Sequence, residues 1–167
     1  LDGVPVHIML RAILDCLSLA EAQSVVVKNA LGKASNILIG DASGHSLDIE
    51  FAGKELFMLS PQEEVFVHTN HYLSIDLPKK ENLVSSQARY ARGVEMGAKI
   101  KKESIDEMKK LLLDGENKEL PICRPYLKSK YISSVGTICS IVMDLPKREM
   151  HITKGSPLKN GFEVVKL

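Results

Sequence analysis

The chain has almost no net charge: 22 Lys and Arg stand against 21 Asp and Glu over 167 residues. It therefore lacks a field of one sign that would draw in nucleic acid or an anionic membrane face. Long apolar runs are also missing. Stretches such as Ile138-Cys139-Ser140-Ile141-Val142-Met143 fall far short of the roughly 20 residues that a membrane helix needs, so a soluble protein is expected. No basic segment followed by an apolar stretch marks a signal peptide, and the opening Leu1-Asp2-Gly3-Val4-Pro5 has no initiator Met, so the start reads as cut from something longer. Cysteine is scarce. Cys16, Cys123 and Cys139 are odd in number and have no Cys-x-x-Cys spacing, which argues against a disulfide framework and a zinc site and favours the cytoplasm. There is no Gly-rich phosphate loop and no Gly-x-Ser-x-Gly elbow, so nothing points to a nucleotide cofactor or to a serine hydrolase of the α/β type.

What is present is ordinary globular composition, 44% hydrophobic and 26% charged, enough for one domain with a real core. Pro5 suits a first helical turn, and Ile8, Met9, Ile13, Cys16 and Leu17 recur at helical spacing. Ser18-Leu19-Ala20-Glu21 has the spacing of a capping box, so a second helix is expected from Leu19 to Ala30, ended by Gly32. From Ser35 the pattern changes to short apolar runs between turn residues. Ile37-Leu38-Ile39, Asp41-Ala42-Ser43-Gly44 and Leu47-Asp48-Ile49-Glu50-Phe51 read as a hairpin, which Leu56-Phe57-Met58-Leu59 and Val65-Phe66-Val67 extend into an antiparallel sheet. After a loop at Pro78-Lys79-Lys80-Glu81, a helix is expected from Ser86 to Ile100. Another is expected from the capping box Ser104-Ile105-Asp106-Glu107 to Asp114-Gly115. Residues 116–134 lack periodicity and read as a loop that covers a site. Three strand-like runs close the chain: Thr137 to Met143, Glu149 to Thr153 and Phe162 to Val165. Helix pair, strands, helix pair, strands is an α+β order.

Cys16 and Cys139 read as small core hydrophobes. Cys123 is in a loop-like context where the adjacent Arg124 would lower its pKa, a weak signal for reactivity. His68 and His71 do not read as metal ligands, because side chains three apart point to opposite faces of a strand and no Cys or carboxylate completes a set. Gly93 and Gly97 form a small-xxx-small pattern suited to close helix packing. Arg92 is expected to pair with Glu95 one turn on, and Tyr90 is expected in the core. Arg89 lies early in its helix, where a cation gains nothing from the dipole, so a polar partner elsewhere is expected. Asn70 follows a strand-like run; such an Asn commonly turns the chain, but its amide is also a suitable preorganised donor to developing negative charge. The two are expected at a common edge.

Val65-Phe66-Val67-His68-Thr69-Asn70-His71-Tyr72 followed by Ser85-Ser86-Gln87-Ala88-Arg89-Tyr90-Ala91-Arg92 resembles the penicillin acyltransferase-like branch of the choloylglycine hydrolase superfamily. These are amide-cleaving N-terminal nucleophile hydrolases. The likeness continues loosely from Gly3-Val4-Pro5 through Ser35-Asn36-Ile37-Leu38 to Met143-Asp144-Leu145. It implies the C-terminal part of an αββα sandwich, two antiparallel sheets between helical layers. It further implies Asn70 and Arg89 as catalytic-pocket residues, Asn70 at the oxyanion and Arg89 beside the nucleophile, with His68, Tyr72, Ser85 and Ser86 in contact with substrate. Enzymes of this kind expose a Cys as a new N-terminus by autoproteolysis. Its amine acts as base while its thiolate attacks a small N-acyl amide to give a thioester. That Cys is expected on an upstream segment or subunit, so this chain alone is expected to be inactive. The resemblance calls for no cofactor and no metal. The alternative is a non-catalytic, self-associating scaffold built on the same fold, since an isolated half-sandwich would expose an apolar face and strand edges that soluble proteins cover.

Overall fold

The computed structural model of the protein describes residues 4–60, 65–74, 83–100, 104–126 and 136–166. They form four helices and two three-stranded antiparallel sheets, an α+β fold. The chain divides into two compact units. The first holds residues 4–60 and 72–74, the second residues 65–71 and everything described from 83 onward. Among the described residues no helix is long and apolar enough to cross a membrane.

In the first unit, α1 (Val6–Leu14) and α2 (Leu19–Asn29) pack together and α2 rests on a sheet in the order β1 (Lys33–Gly40), β2 (Ser46–Gly53), β3 (Glu55–Leu59). Helix α1 stops at Leu14, short of the expected Leu17, and Cys16 sits just past it, partly buried against the core. The α2 capping box forms as expected. Ser18 Oγ accepts the Glu21 N–H at 3.2 Å, and the Glu21 carboxylate reaches back to the Leu17 N–H at 2.9 Å. Residue pairs Ile37–Ile49 and Ser35–Phe51 set the β1–β2 register. That register gathers Ile37, Ile49 and Phe51 against Met9, Ile13, Ala22, Val26 and Ala30 as the core.

Strand alternation turns Asp48 and Glu50 to the other face of β2, and both are nevertheless fully buried. Asn36 Nδ2 donates to Asp48 at 2.6 Å. Glu50 spreads its two oxygens over the backbone N–H groups of Leu73 and Ser74, at 2.5 and 2.8 Å. A buried carboxylate is tolerable when N–H donors replace its water, and here Glu50 ties residues 72–74 onto β2.

The second unit contains α3 (Val84–Gly97), α4 (Ile105–Leu112) and a sheet in the order β4 (Ile141–Asp144), β5 (Glu149–Thr153), β6 (Phe162–Lys166). The Ser104 cap of α4 is present, Oγ to Glu107 N at 3.4 Å. Two sequence expectations are corrected. Val65-Phe66-Val67 is not a strand among the described residues, because the segment lies along α3 and not beside another strand. Cys139 precedes β4 and is exposed, not a core residue. The expected loop at residues 78–81, and residues 127–134 of the expected covering loop, lie outside the described residues.

The contact between residues 65–71 and α3 organises the second unit. A Cβ added at Gly97 would lie 2.9 Å from Val65 Cγ1, and one at Gly93 would lie 2.8 Å from Val67 Cγ1. The two valines therefore rest almost on the helix backbone, which is what the small-xxx-small pattern permits. Further toward the helix start, Arg89 meets Asn70, and Ser86 meets Thr69, Asn70 and His71. The segment thus runs antiparallel to the helix along one stripe of it: Ser86, Arg89, Gly93, Gly97. The lengths match. Eleven residue steps of helix rise about 16 Å at ~1.5 Å each, and five extended steps from Val65 to Asn70 cover about the same at ~3.3 Å each.

Candidate functional site

Asn70 and Arg89 meet, as the sequence led us to expect. Arg89 Nη2 donates to Asn70 Oδ1 at 2.6 Å. A guanidinium has only donors, so this bond fixes which end of the amide is which: Oδ1 faces Arg89, and Nδ2 is turned away as a donor at an exposed residue. The Asn70 backbone is pinned as well, its N–H donating to Ser86 Oγ at 2.7 Å. Arg89 is half-buried. Burial first, and then the neighbouring Arg124 cation, lower its pKa from the ordinary arginine value, while the group keeps its charge at any physiological pH. Its Nε is buried with no partner among the described residues. Arg124 in turn gives Nη2 to Ser85 Oγ at 2.6 Å, so Ser85 serves to place a second cation near the first.

Ser86 is 3% exposed. Its hydroxyl forms a triangle with Thr69 Oγ1, at 2.9 Å, and His71 Nδ1, at 2.8 Å, and those two are 3.1 Å apart. Thr69 also donates to the Ser86 carbonyl at 3.0 Å. The His71 ring stands edge-on to Tyr90, centroids 5.4 Å apart, and Tyr90 is half-buried where a core position was expected. His68 Nδ1 donates to the Thr69 carbonyl at 2.7 Å. Tyr72 belongs to the first unit, where its hydroxyl donates to the Phe51 carbonyl at 2.9 Å. Burial, and then the Glu50 charge, raise its pKa.

Arg92 pairs with Glu95 at 2.9 Å, as read from the sequence, but also with Asp114 at 2.8 Å and with Glu116. The Asp114 hydrogen bond, then that of Glu95, raises its pKa. This network joins α3 to the chain after α4. Its Glu95 arm was legible at helical spacing; the other two partners are more than twenty residues away and carry no local signal.

A cleft of about 350 Å³ opens in the second unit. Val67, Gly93, Leu111, Leu112, Ile122 and Ile141 supply its apolar walls, and His68, Thr69, Arg89, Thr137, Cys139 and Ser140 its polar ones. Ile122 comes from the segment expected to cover a site. Cys123 beside it is 1% exposed. Burial raises its thiol pKa against an opposing hydrogen bond with Thr137, which reverses the direction expected from its neighbour Arg124. Among the described residues no group of three His, Cys, Asp or Glu side chains is placed to hold a metal ion.

Residues 1–159 match the family model described as acyl-coenzyme A:6-aminopenicillanic acid acyl-transferase. The chain is 30% identical, over 162 residues, to the acyl-coenzyme A:6-aminopenicillanic-acid-acyltransferase 40 kDa form of Emericella nidulans. That alignment takes in 93% of this chain and 44% of the relative, so the chain spans less than half the length of the protein it resembles.

Proposed function

The chain belongs to the acyl-coenzyme A:6-aminopenicillanic acid acyl-transferase family, and from that premise we propose that it forms part of an enzyme that moves an acyl group out of a small N-acyl amide. In this reading the reaction runs through a thioester on a cysteine thiolate that lies outside this chain, with water or an amine resolving it. Asn70 donates Nδ2–H to the oxyanion as the carbonyl is attacked, and Arg89 holds the amide in that orientation. His68 and Arg89 face the substrate, and the apolar cleft beside Arg89 takes the acyl group; its size falls within the range of small-ligand sites.

The observation that carries the reading is the 2.6 Å bond from Arg89 to Asn70 Oδ1. A merely chain-turning Asn would need its Oδ1 for a local backbone N–H. Here that oxygen is taken by a helix nineteen residues away, which leaves a donor fixed in advance, as oxyanion stabilisation requires. The test is Asn70→Ala in the intact protein, with amide cleavage followed by mass spectrometry. Turnover should fall by roughly a hundredfold or more, while the melting temperature stays nearly constant, since the residue is exposed. Unchanged turnover would refute the assignment. It would favour the scaffold reading instead, for which the exposed apolar side chains Ile141, Met143 and Val165, on one face of the second sheet, are the supporting feature.

A further inference from the structure

We infer that Ser86 is a positioning residue that sets the place of Asn70 and does not contact substrate. This rests on the reading of Asn70 as the oxyanion donor. At 3% exposure the Ser86 hydroxyl is out of reach of a ligand. Its proton and a lone pair both have uses inside the protein. One lone pair accepts the Asn70 N–H at 2.7 Å. Its proton is within reach of His71 Nδ1 at 2.8 Å and of Thr69 Oγ1 at 2.9 Å. Thr69 in turn spends its own proton on the Ser86 carbonyl.

Three consecutive residues, Thr69, Asn70 and His71, are thus gathered onto one hydroxyl. That hydroxyl is carried by a helix that meets the segment sterically at Gly93 and Gly97 and otherwise holds the Asn70 side chain through Arg89. Val65 and Val67 fix how close the segment lies to α3. Apolar contacts alone, however, do not fix how far the segment slides or rolls along the helix. Ser86 supplies that constraint for the backbone at the end of the segment where Asn70 sits. Arg89 orients the Asn70 side chain from one turn away, so backbone and amide are fixed by two residues of the same helical stripe.

The experiment is a double-mutant cycle in the intact protein, using Asn70→Ala, Ser86→Ala and the pair, with kcat and KM measured on one N-acyl amide. Ser86→Ala should lower kcat by about tenfold to a hundredfold, the scale of a displaced reacting group, with KM little changed. The pair should be no slower than Asn70→Ala alone, because Ser86 acts only through Asn70. Effects that multiply would overturn the inference, since a general loosening of the fold would slow the Asn70→Ala enzyme further. Wild-type kcat in Ser86→Ala beside a slow Asn70→Ala would overturn it too, while leaving the oxyanion assignment standing. Indifference to Asn70→Ala would remove the premise itself. Should Ser86→Ala not fold, Ser86→Cys keeps a weak acceptor in a similar volume, and its kcat should lie between wild type and Asn70→Ala; an unchanged kcat there would also overturn the proposal.

Discussion

The first unit is closed by apolar side chains from two helices and a sheet, whereas the second is tied together at polar points. Met9, Val26, Ile49 and Phe51 are all within 1% of full burial. In the second unit the protected groups include Ser86, Ser140, His151 and Thr153 beside Cys123, Leu111 and Val142. Hydrophobic burial is non-directional and scales with area, so it gives stability without fixing any one atom. Hydrogen bonds contribute little net energy but are costly to leave half-made, so they fix geometry. The region where we propose a fixed oxyanion donor is the region knitted by hydroxyls, guanidinium groups and carboxylates.

The contrast is broken most forcefully at Phe51. Phe51→Ala should cost about 3–5 kcal/mol of stability, read by urea denaturation of the intact protein, with kcat of the surviving folded fraction little altered. A loss under about 1 kcal/mol would mean that the first unit is not held by its apolar core. Gly93→Ala tests the second unit at the close approach. Its new Cβ would meet Val67 Cγ1 at 2.8 Å, and Val is stiff at χ1. Overpacking of about 1–3 kcal/mol therefore exceeds the roughly 1 kcal/mol gained in helix propensity, for a small net loss. Turnover should fall more than so small a loss in stability implies, because the displaced segment ends in Asn70. Val67→Ala in the same chain should restore both; failure to do so would remove the steric explanation.

Local signals made most of the fold legible. The Ser18 capping box formed in full and Ser104 capped α4 while Glu107 turned to Lys110, and the Asp41 turn closes the first hairpin with Ser43 and His45 N–H groups on its carboxylate. The Asn70–Arg89 pairing was legible mainly through the family that its two motifs resemble. What failed was the strand at Val65-Phe66-Val67. Strand propensity measures fit to an extended, half-buried surface, and the glycine stripe of α3 is such a surface as much as a neighbouring strand is. A signal was present: a Val-x-Val pair and a Gly-x-x-x-Gly helix whose rises match, 65 to 67 against 97 to 93. The Ser86 hub had no such signal. Its partners lie fifteen to seventeen residues away, and nothing in a Ser-Ser pair tells which hydroxyl turns inward.

The smallest test compares the two capping boxes, one in each unit. At α2 the bond from Glu21 N to Ser18 Oγ is 3.2 Å and the Glu21 carboxylate returns to Leu17 N–H, so two helix-end donors are satisfied reciprocally. At α4 the Ser104 bond is 3.4 Å, near the limit for a hydrogen bond, and the Glu107 carboxylate pairs with Lys110 at 2.5 Å. Ser18→Ala should therefore cost about 1 kcal/mol, and Ser104→Ala only a few tenths, toward the weak end for cap removal. Amide hydrogen exchange reads each site separately. Protection at Glu21 should drop by about fivefold for a loss of 1 kcal/mol, against a barely measurable change at Glu107. Equal losses at the two sites would show that cap strength does not follow this geometry. A larger loss at Glu107 would mean that the second unit depends on its helix ends more than the first does, reversing the comparison at its most local level.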